Sequence, residues 1–193
     1  MKLSKGVNRP FTTSQWRYSV TKPKKKIQSH RIFWIGEVDE EHLAQTISQI
    51  LEIKQAHPKA TIDLWVLTEG GSLSVAKAFI DFVRVHEINL ITTGFGTVDS
   101  AGTMIFGAGK VRRATQNCTL HFHELYVEGC EESLTARKSK LVSNELRRAQ
   151  KDSIKLKTKL YQVSRKLIMK LIRSDKDWTA KQMLEMKMIH EII

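Results

Sequence analysis

Between residues 31 and 95 the hydrophobic period of the chain switches back and forth between two and 3.6, and this alternation limits the possible folds more than any other feature. Ile32-Phe33-Trp34-Ile35 is a short apolar run closed by Gly36, the pattern of a buried strand. Asp39 then offers a helix N-cap, with Glu40 and Glu41 suited to the positive first turn. Leu43, Ile47, Ile50 and Leu51 follow at helical spacing, and Pro58 lies just past the end. Residues 61–68 (TIDLWVLT) form a second strand pattern that stops at Gly70-Gly71. Ser72 caps a second helix whose apolar stripe is Val75, Ala76, Phe79, Ile80 and Val83, and residues 88–95 are a third strand. Strands separated by single helices of this length cannot pair as hairpins. The pattern predicts parallel strands with crossover helices, an α/β fold.

The second half is less regular. Short extended runs are expected at 111–115 and 118–123. One long or broken helix is expected over 131–167, with Val142, Leu146, Ala149, Leu156, Leu160, Val163 and Leu167 at spacings of three, four and seven on an otherwise charged surface. A narrow seam of that kind packs on another helix, of the same body or of a second subunit. Thr179-x-x-Gln182 has the form of a capping box and leads to a terminal apolar strand over 188–193.

Charge sorts the chain into two parts. The net charge is +12, from 32 Lys and Arg against 20 acids over 193 residues. Residues 1–36 hold nine of the basic residues and no acid, so the remainder carries 23 basic residues (32 − 9) against 20 acidic, or +3. Residues 1–30 read as a basic arm, expected to be flexible, ahead of a folded body over 31–193. The same composition also fits a surface for an acidic partner or an organelle-targeting segment. Trp16 and Tyr18 beside Arg17 could stack on bases, but no nucleic-acid motif spacing accompanies them. Two cysteines, Cys118 and Cys130, do not make a disulfide framework. They point to a reducing compartment, the cytoplasm or, if the arm is a targeting segment, an organelle matrix. No apolar run approaches the ~20 residues of a membrane span.

Seven of the ten glycines fall between Gly70 and Gly109, marking places where backbone turns sharply or passes close to something. Neither G-x-G-x-x-G nor G-x-x-x-x-G-K-[ST] occurs, so no nucleotide cradle is expected. Ser100 lies between a strand end and a helix start, where a hydroxyl is exposed beside unpaired backbone N–H groups; a plain helix cap has the same signature. His121 and His123 share one strand face. With Cys118 and Cys130 they make C-x2-H-x-H-x6-C, which is no familiar zinc spacing, and no metal is expected. Asp175 and Asp177 precede the capped helix as loop acids.

In order and interval these residues resemble the proteolytic subunit of the Clp protease, the ClpP family, from Arg31 to the end of the chain. Arg31-Ile-Phe-Trp-Ile-Gly-Glu-Val38 is similar to the family's opening strand and turn. Leu64-Trp-Val-Leu-Thr-Glu-Gly70-Gly71-Ser72 is similar to its strand and Ser-Pro-Gly-Gly-Ser loop. Gly96-Thr-Val-Asp-Ser100-Ala-Gly-Thr103 stands where the family has Gly-x-Ala-Ala-Ser-Met-Gly-Ala around its nucleophile. Asn117-Cys-Thr-Leu-His-Phe-His123 resembles the strand ending in the catalytic histidine, and Asp175-Lys-Asp-Trp-Thr-Ala180 the acid before a Ser/Thr-Ala helix start.

The resemblance implies a spiral of β-β-α units as in ClpP and crotonases, with a protruding helical handle near 124–167. It implies a serine endopeptidase that cuts unfolded polypeptides with Ser100 as nucleophile, His123 as base and Asp175 as the acid behind it, Asp177 being second choice. The backbone N–H groups of Gly70 and Ala101 would form the oxyanion hole, and Gly71 would line the extended peptide. No cofactor is implied. The assembly would be a homo-oligomeric ring, of seven or a double ring, with an AAA+ unfoldase as candidate partner.

Several residues depart from the family pattern. Glu69 replaces a proline, Asp99 replaces a small residue before the nucleophile, residues 124–129 replace Gln-Pro and glycines, and Asp63 takes a strand position that is usually aromatic or apolar. An anion about 6 Å from a developing oxyanion costs about 3 kcal/mol at an effective dielectric of 20, so the directions of Glu69 and Asp99 decide a hundredfold in rate. An alternative reading is therefore a weakly active pseudo-subunit that assembles with an active paralogue. Crotonase-type acyl-CoA chemistry and a Ser–Lys dyad using Lys110 or Lys138 are further alternatives.

Overall fold

The computed structural model describes residues 29–126 and 136–193. Residues 1–28 of the expected arm, the start of the expected long helix and Cys130 lie outside the described residues. Each expected strand and helix of the first half is present. Strand β1 (Ser29–Ile35) leads to helix α1 (Glu40–Ala56), β2 (Thr61–Thr68), α2 (Leu73–Val85) and β3 (Asn89–Asp99). The caps work as the side chains require: Asp39 accepts from His42 N–H at 2.8 Å and Ser72 from Val75 N–H at 3.4 Å. The α2 stripe (Val75, Ala76, Phe79, Ile80, Val83) is buried, with Phe79 edge-on to the buried Trp34 at 5.6 Å.

After β3 come a short helix α3 (Gly102–Gly107), β4 (Val111–Ala114) and β5 (Thr119–His121), then helices α4 (Ala136–Tyr161) and α5 (Arg165–Ser174). Strand β6 (Asp177–Thr179), helix α6 (Ala180–Glu185) and β7 (Glu191–Ile192) complete the chain. The main sheet has the order β1-β2-β3-β4-β7, every pair parallel. This is a mixed α/β fold with a parallel sheet, as the alternation predicts.

The site is positioned by β3, which is longer than its apolar run. It turns at Gly96 (φ +67°) and changes neighbour: residues 91–94 pair with β4, and residues 97–99 pair with β5. Strand β5 in turn pairs antiparallel with β6. The sheet thus splits, and its second arm carries His121 and Asp177. Of the two forms expected over 131–167, the broken one is present among the described residues: the helix breaks at Gln162 (φ +56°), where Ser164 caps α5 by accepting from Leu167 N–H. One expectation is corrected here. Asp177 is in a strand rather than a loop, because Trp178 buries itself opposite Leu120.

Asp63, an acid in a buried strand, is satisfied by three donors within hydrogen-bond distance and a fourth, more distant cation, all from the sheet. Its carboxylate meets Arg113 at 2.7 Å, Thr93 Oγ1 at 2.8 Å, Trp65 Nε1 at 3.0 Å and Arg31 at 3.9 Å. Beside it an open face carries Phe33 and Ile35, 49% and 53% exposed, with Trp65 and Phe95 packed against Phe33. Among the described residues no helix is long and apolar enough to cross a membrane.

Lys157 on α4 is buried, with its ammonium 5.6 Å from the Phe122 ring. Desolvation lowers it to about 8 from the ordinary 10.5. The unfolded chain therefore holds this proton over a range where the folded chain has lost it, and stability rises with pH between about 8 and 10. Lys157→Met should stabilise the fold by about 3 kcal/mol at pH 7, with a gain that shrinks toward pH 10. Denaturant unfolding at both pH values checks this; an equal gain at each would show that packing, not charge, is responsible.

Candidate active site

Ser100 occupies the turn between β3 and α3 in a left-handed conformation (φ +52°), which costs a non-glycine residue about 1–2 kcal/mol. Backbone bonds hold it there. Its N–H donates to the carbonyl of His121 at 3.1 Å, and its carbonyl accepts from Thr103 N–H at 3.2 Å and Thr103 Oγ1 at 2.5 Å. The Ser100 turn is thereby tied directly to β5. Ala101 is the N-cap of α3, and its N–H belongs to the group that has no carbonyl four residues back.

The Gly70-Gly71 loop lies against this turn. Gly70 has φ +111°, and a Cβ there would come within 2.5 Å of Ser100 Cβ, so only glycine can stand beside the serine. The Gly70 N–H, expected as an oxyanion donor, instead donates to Thr68 Oγ1 at 3.0 Å. Gly71 forms a parallel bridge with Val38: Val38 N–H donates to Gly70 O and Ser72 N–H to Val38 O. Backbone groups alternate in direction along an extended segment, so this bridge turns the N–H of Gly71 itself away from Val38.

His123 follows β5 and is half-buried. Its Nδ1 lies 2.7 Å from the carbonyl oxygen of Glu124. A carbonyl only accepts, so Nδ1 carries a hydrogen, and in the neutral ring Nε2 is then the nitrogen with the lone pair that a general base needs. Ser100, His123, Gly70, Gly71 and Glu69 line one open cleft of about 580 Å³. An adjoining hollow of about 680 Å³ shares His123 and adds His121, Arg173 and Asp175.

Asp175 caps α5 in a left-handed conformation (φ +45°) and meets His121, not His123: its Oδ1 is 3.1 Å from His121 Nε2. Asp177 Oδ1 is 3.0 Å from His121 Nδ1. Burial pulls the His121 imidazolium down, yet hydrogen bonds to Asp175 and Asp177 and the charge of Asp99 outweigh it and hold the pKa above the usual histidine value. Asp99 accepts from Thr97 Oγ1 at 2.9 Å and belongs to the His121 group; desolvation raises its own pKa. Of the two anions that threatened the oxyanion, Asp99 is thus engaged with the His121 group, and Glu69 is exposed to water at the cleft.

The structure therefore brings Ser100, His123, Gly70 and Gly71 together and sets Asp175 one histidine away. The residue that sequence reasoning missed is His121. Strand alternation had placed it on the face of His123, and the two rings are 5.8 Å apart. Asp99, His121 and Asp177 bring ligand atoms within 4.8 Å of one another, the only such grouping among the described residues. Cys118 is buried, and desolvation pushes its thiol up to about 12, which disfavours the thiolate that zinc would need.

The Clp protease family model matches residues 16–193, and the chain belongs to that family, whose members are serine peptidases. Among similar proteins, the ATP-dependent Clp protease proteolytic subunit 2 of Tropheryma whipplei (strain Twist) is 29% identical over 85 residues, 44% of this chain and 47% of that protein. The chloroplastic proteolytic subunit 4 of Arabidopsis thaliana is 32% identical over 97 residues, 49% of this chain and 33% of that protein. Proteolytic subunit 1 of Leifsonia xyli subsp. xyli is 26% identical over 102 residues, 51% and 52% respectively. The chain thus spans between a third and about half the length of these relatives.

Proposed function

We propose that the chain is a serine endopeptidase of the ClpP type that cleaves unfolded polypeptides, with Ser100 as nucleophile and His123 as general base. The observation that carries this is the single cleft in which a left-handed serine, a histidine of the correct tautomer and a glycine pressed against the serine meet. In the reaction His123 Nε2 takes the Ser100 proton as Oγ attacks the scissile carbonyl, then returns it to the leaving amine. The developing oxyanion is bound by the N–H groups of Ala101 and Gly71, the latter replacing Gly70, whose N–H is bound to Thr68. Asp175 stabilises the imidazolium once it reaches His123. The β-β-α spiral with a protruding handle over about 124–167, a folded body over 31–193 and ring assembly belong to the same reading. The seam of α4 and the exposed Phe33 and Ile35 supply surfaces for a second copy or an unfoldase.

A fluorophosphonate probe tests the reading. Labelling of Ser100 alone, located by peptide mass spectrometry and absent after competition with a peptide substrate, is the expected result. A folded protein labelled elsewhere or nowhere would contradict it. One observation favours the weakly active pseudo-subunit instead: Asp175 and Gly70 N–H are both engaged with other groups. Slow labelling that accelerates on adding an active relative would support that reading.

A further inference from the structure

We propose that His121 is a positioning residue that competes with His123 for the carboxylate of Asp175, and so sets the pH at which the catalytic acid becomes available. The inference rests on the peptidase reading above for its consequence in catalysis, but not for its geometry. Both ring nitrogens of His121 face carboxylates: Nδ1 at 3.0 Å from Asp177 and Nε2 at 3.1 Å from Asp175. Carboxylates only accept, so both contacts are hydrogen bonds only when both nitrogens carry hydrogen, that is, as imidazolium. A neutral imidazole can donate to one carboxylate and must turn a lone pair toward the other. Loss of one proton therefore forces one carboxylate to leave.

Asp175 is placed to be the one that moves. Asp177 is nearly as exposed but is held in β6 by its pairing with β5, whereas Asp175 sits at the end of α5 beside a hollow that His121 and His123 both line. The two rings are 5.8 Å apart. Meanwhile His123 Nδ1–H rests on the Glu124 carbonyl, which fixes the tautomer but brings no full negative charge to stabilise the imidazolium formed in catalysis. Transfer of Asp175 from His121 to His123 would supply that charge. The groups around His121 are Asp99 from β3, Arg173 and Asp175 from α5 and its cap, and Asp177 from β6, while the intervening Lys176 lies over the Trp178 ring. His123 and Glu124 adjoin it on its own segment, and Glu69 lies beyond Asp99. Three carboxylates surround the ring, so the switch operates above the pH at which a free histidine loses its proton.

The test uses the full chain, the His121→Met variant and the His121→Met/Asp175→Asn double variant. Histidine 13Cε1 titrations read the geometry whether or not the protein cleaves peptides. The expected result is a rise of about one unit in the pKa of His123 in His121→Met, abolished in the double variant. Fluorophosphonate labelling of Ser100 reads the consequence: in the pH interval between the titration of His123 in His121→Met and that of His121 in wild type, His121→Met should react up to about tenfold faster, and the gap should close at lower pH, where His123 is protonated in both, and at higher pH, where wild-type His121 has also released Asp175. An unchanged His123 titration in His121→Met would overturn the inference. Unchanged labelling throughout that interval with a shifted titration would overturn its catalytic part. Absent labelling at every pH with a shifted titration would leave the competition standing and sink the peptidase reading instead.

Discussion

Ser100→Ala is expected to lower turnover of an unstructured peptide by about a thousandfold or more while melting within a degree of the parent. The argument is geometric. Alanine keeps the Cβ and meets the same left-handed backbone, so the variant adds no strain at φ +52°. The bonds that hold the turn come from the backbone N–H and carbonyl of residue 100, not from Oγ. Only the nucleophile is removed. The residual rate would come from the backbone donors and from binding. Hydrolysis rates and thermal unfolding of the two proteins side by side check this, and retention of a tenth of the activity would remove Ser100 from the mechanism.

Gly70→Ala should be nearly as damaging by a different route. A methyl group at residue 70 would lie 2.5 Å from Ser100 Cβ and 3.2 Å from Ser100 Oγ, on a backbone at φ +111° that L side chains rarely adopt. The loop must move or push the serine, and either displaces a donor from the site. Loss of one donor of this kind costs about 100-fold or more. Unlike Ser100→Ala, this variant should also lose stability, by about 1–3 kcal/mol of backbone strain. Peptide turnover and denaturant unfolding measure the two effects, and a fully active Gly70→Ala would mean that the loop does not flank the nucleophile.

The first half of the fold could be read from the chain because β1, β2 and β3 are apolar runs and α1 and α2 carry both a stripe and a cap. Where the signal was local, as with Asp39 and Ser72, the structure uses it as written. Strand β6 could not be seen that way: three residues with one apolar side chain carry no period, and its identity comes from the pairing of Trp178 with Leu120. The break at Gln162 also lacked glycine or proline, although Ser164 three residues before Leu167 was a readable cap. Within the site, Ser100, His123 and the glycine loop were singled out through the family resemblance by their order and interval, and they line one cleft. His121 was not, because the carboxylate it holds depends on the left-handed cap at Asp175, which no pattern in the sequence reports. The bond from Gly70 N–H to the Thr68 hydroxyl and the Val38 bridge at Gly71 are likewise set by the fold.

The split of β3 at Gly96 also bears on how the molecule comes apart. Seven residue pairs join β1 to β2, whereas β5 is held by three pairs to β3 and three to β6. Local opening costs less where fewer pairs must be broken. The arm that bears His121, and from which the nucleophile turn takes its hydrogen bond, can therefore fray while the rest of the sheet stays closed. On heating, catalytic competence would fade before the fold does, and anything that clamps β5 from outside would act as a thermostat for the site.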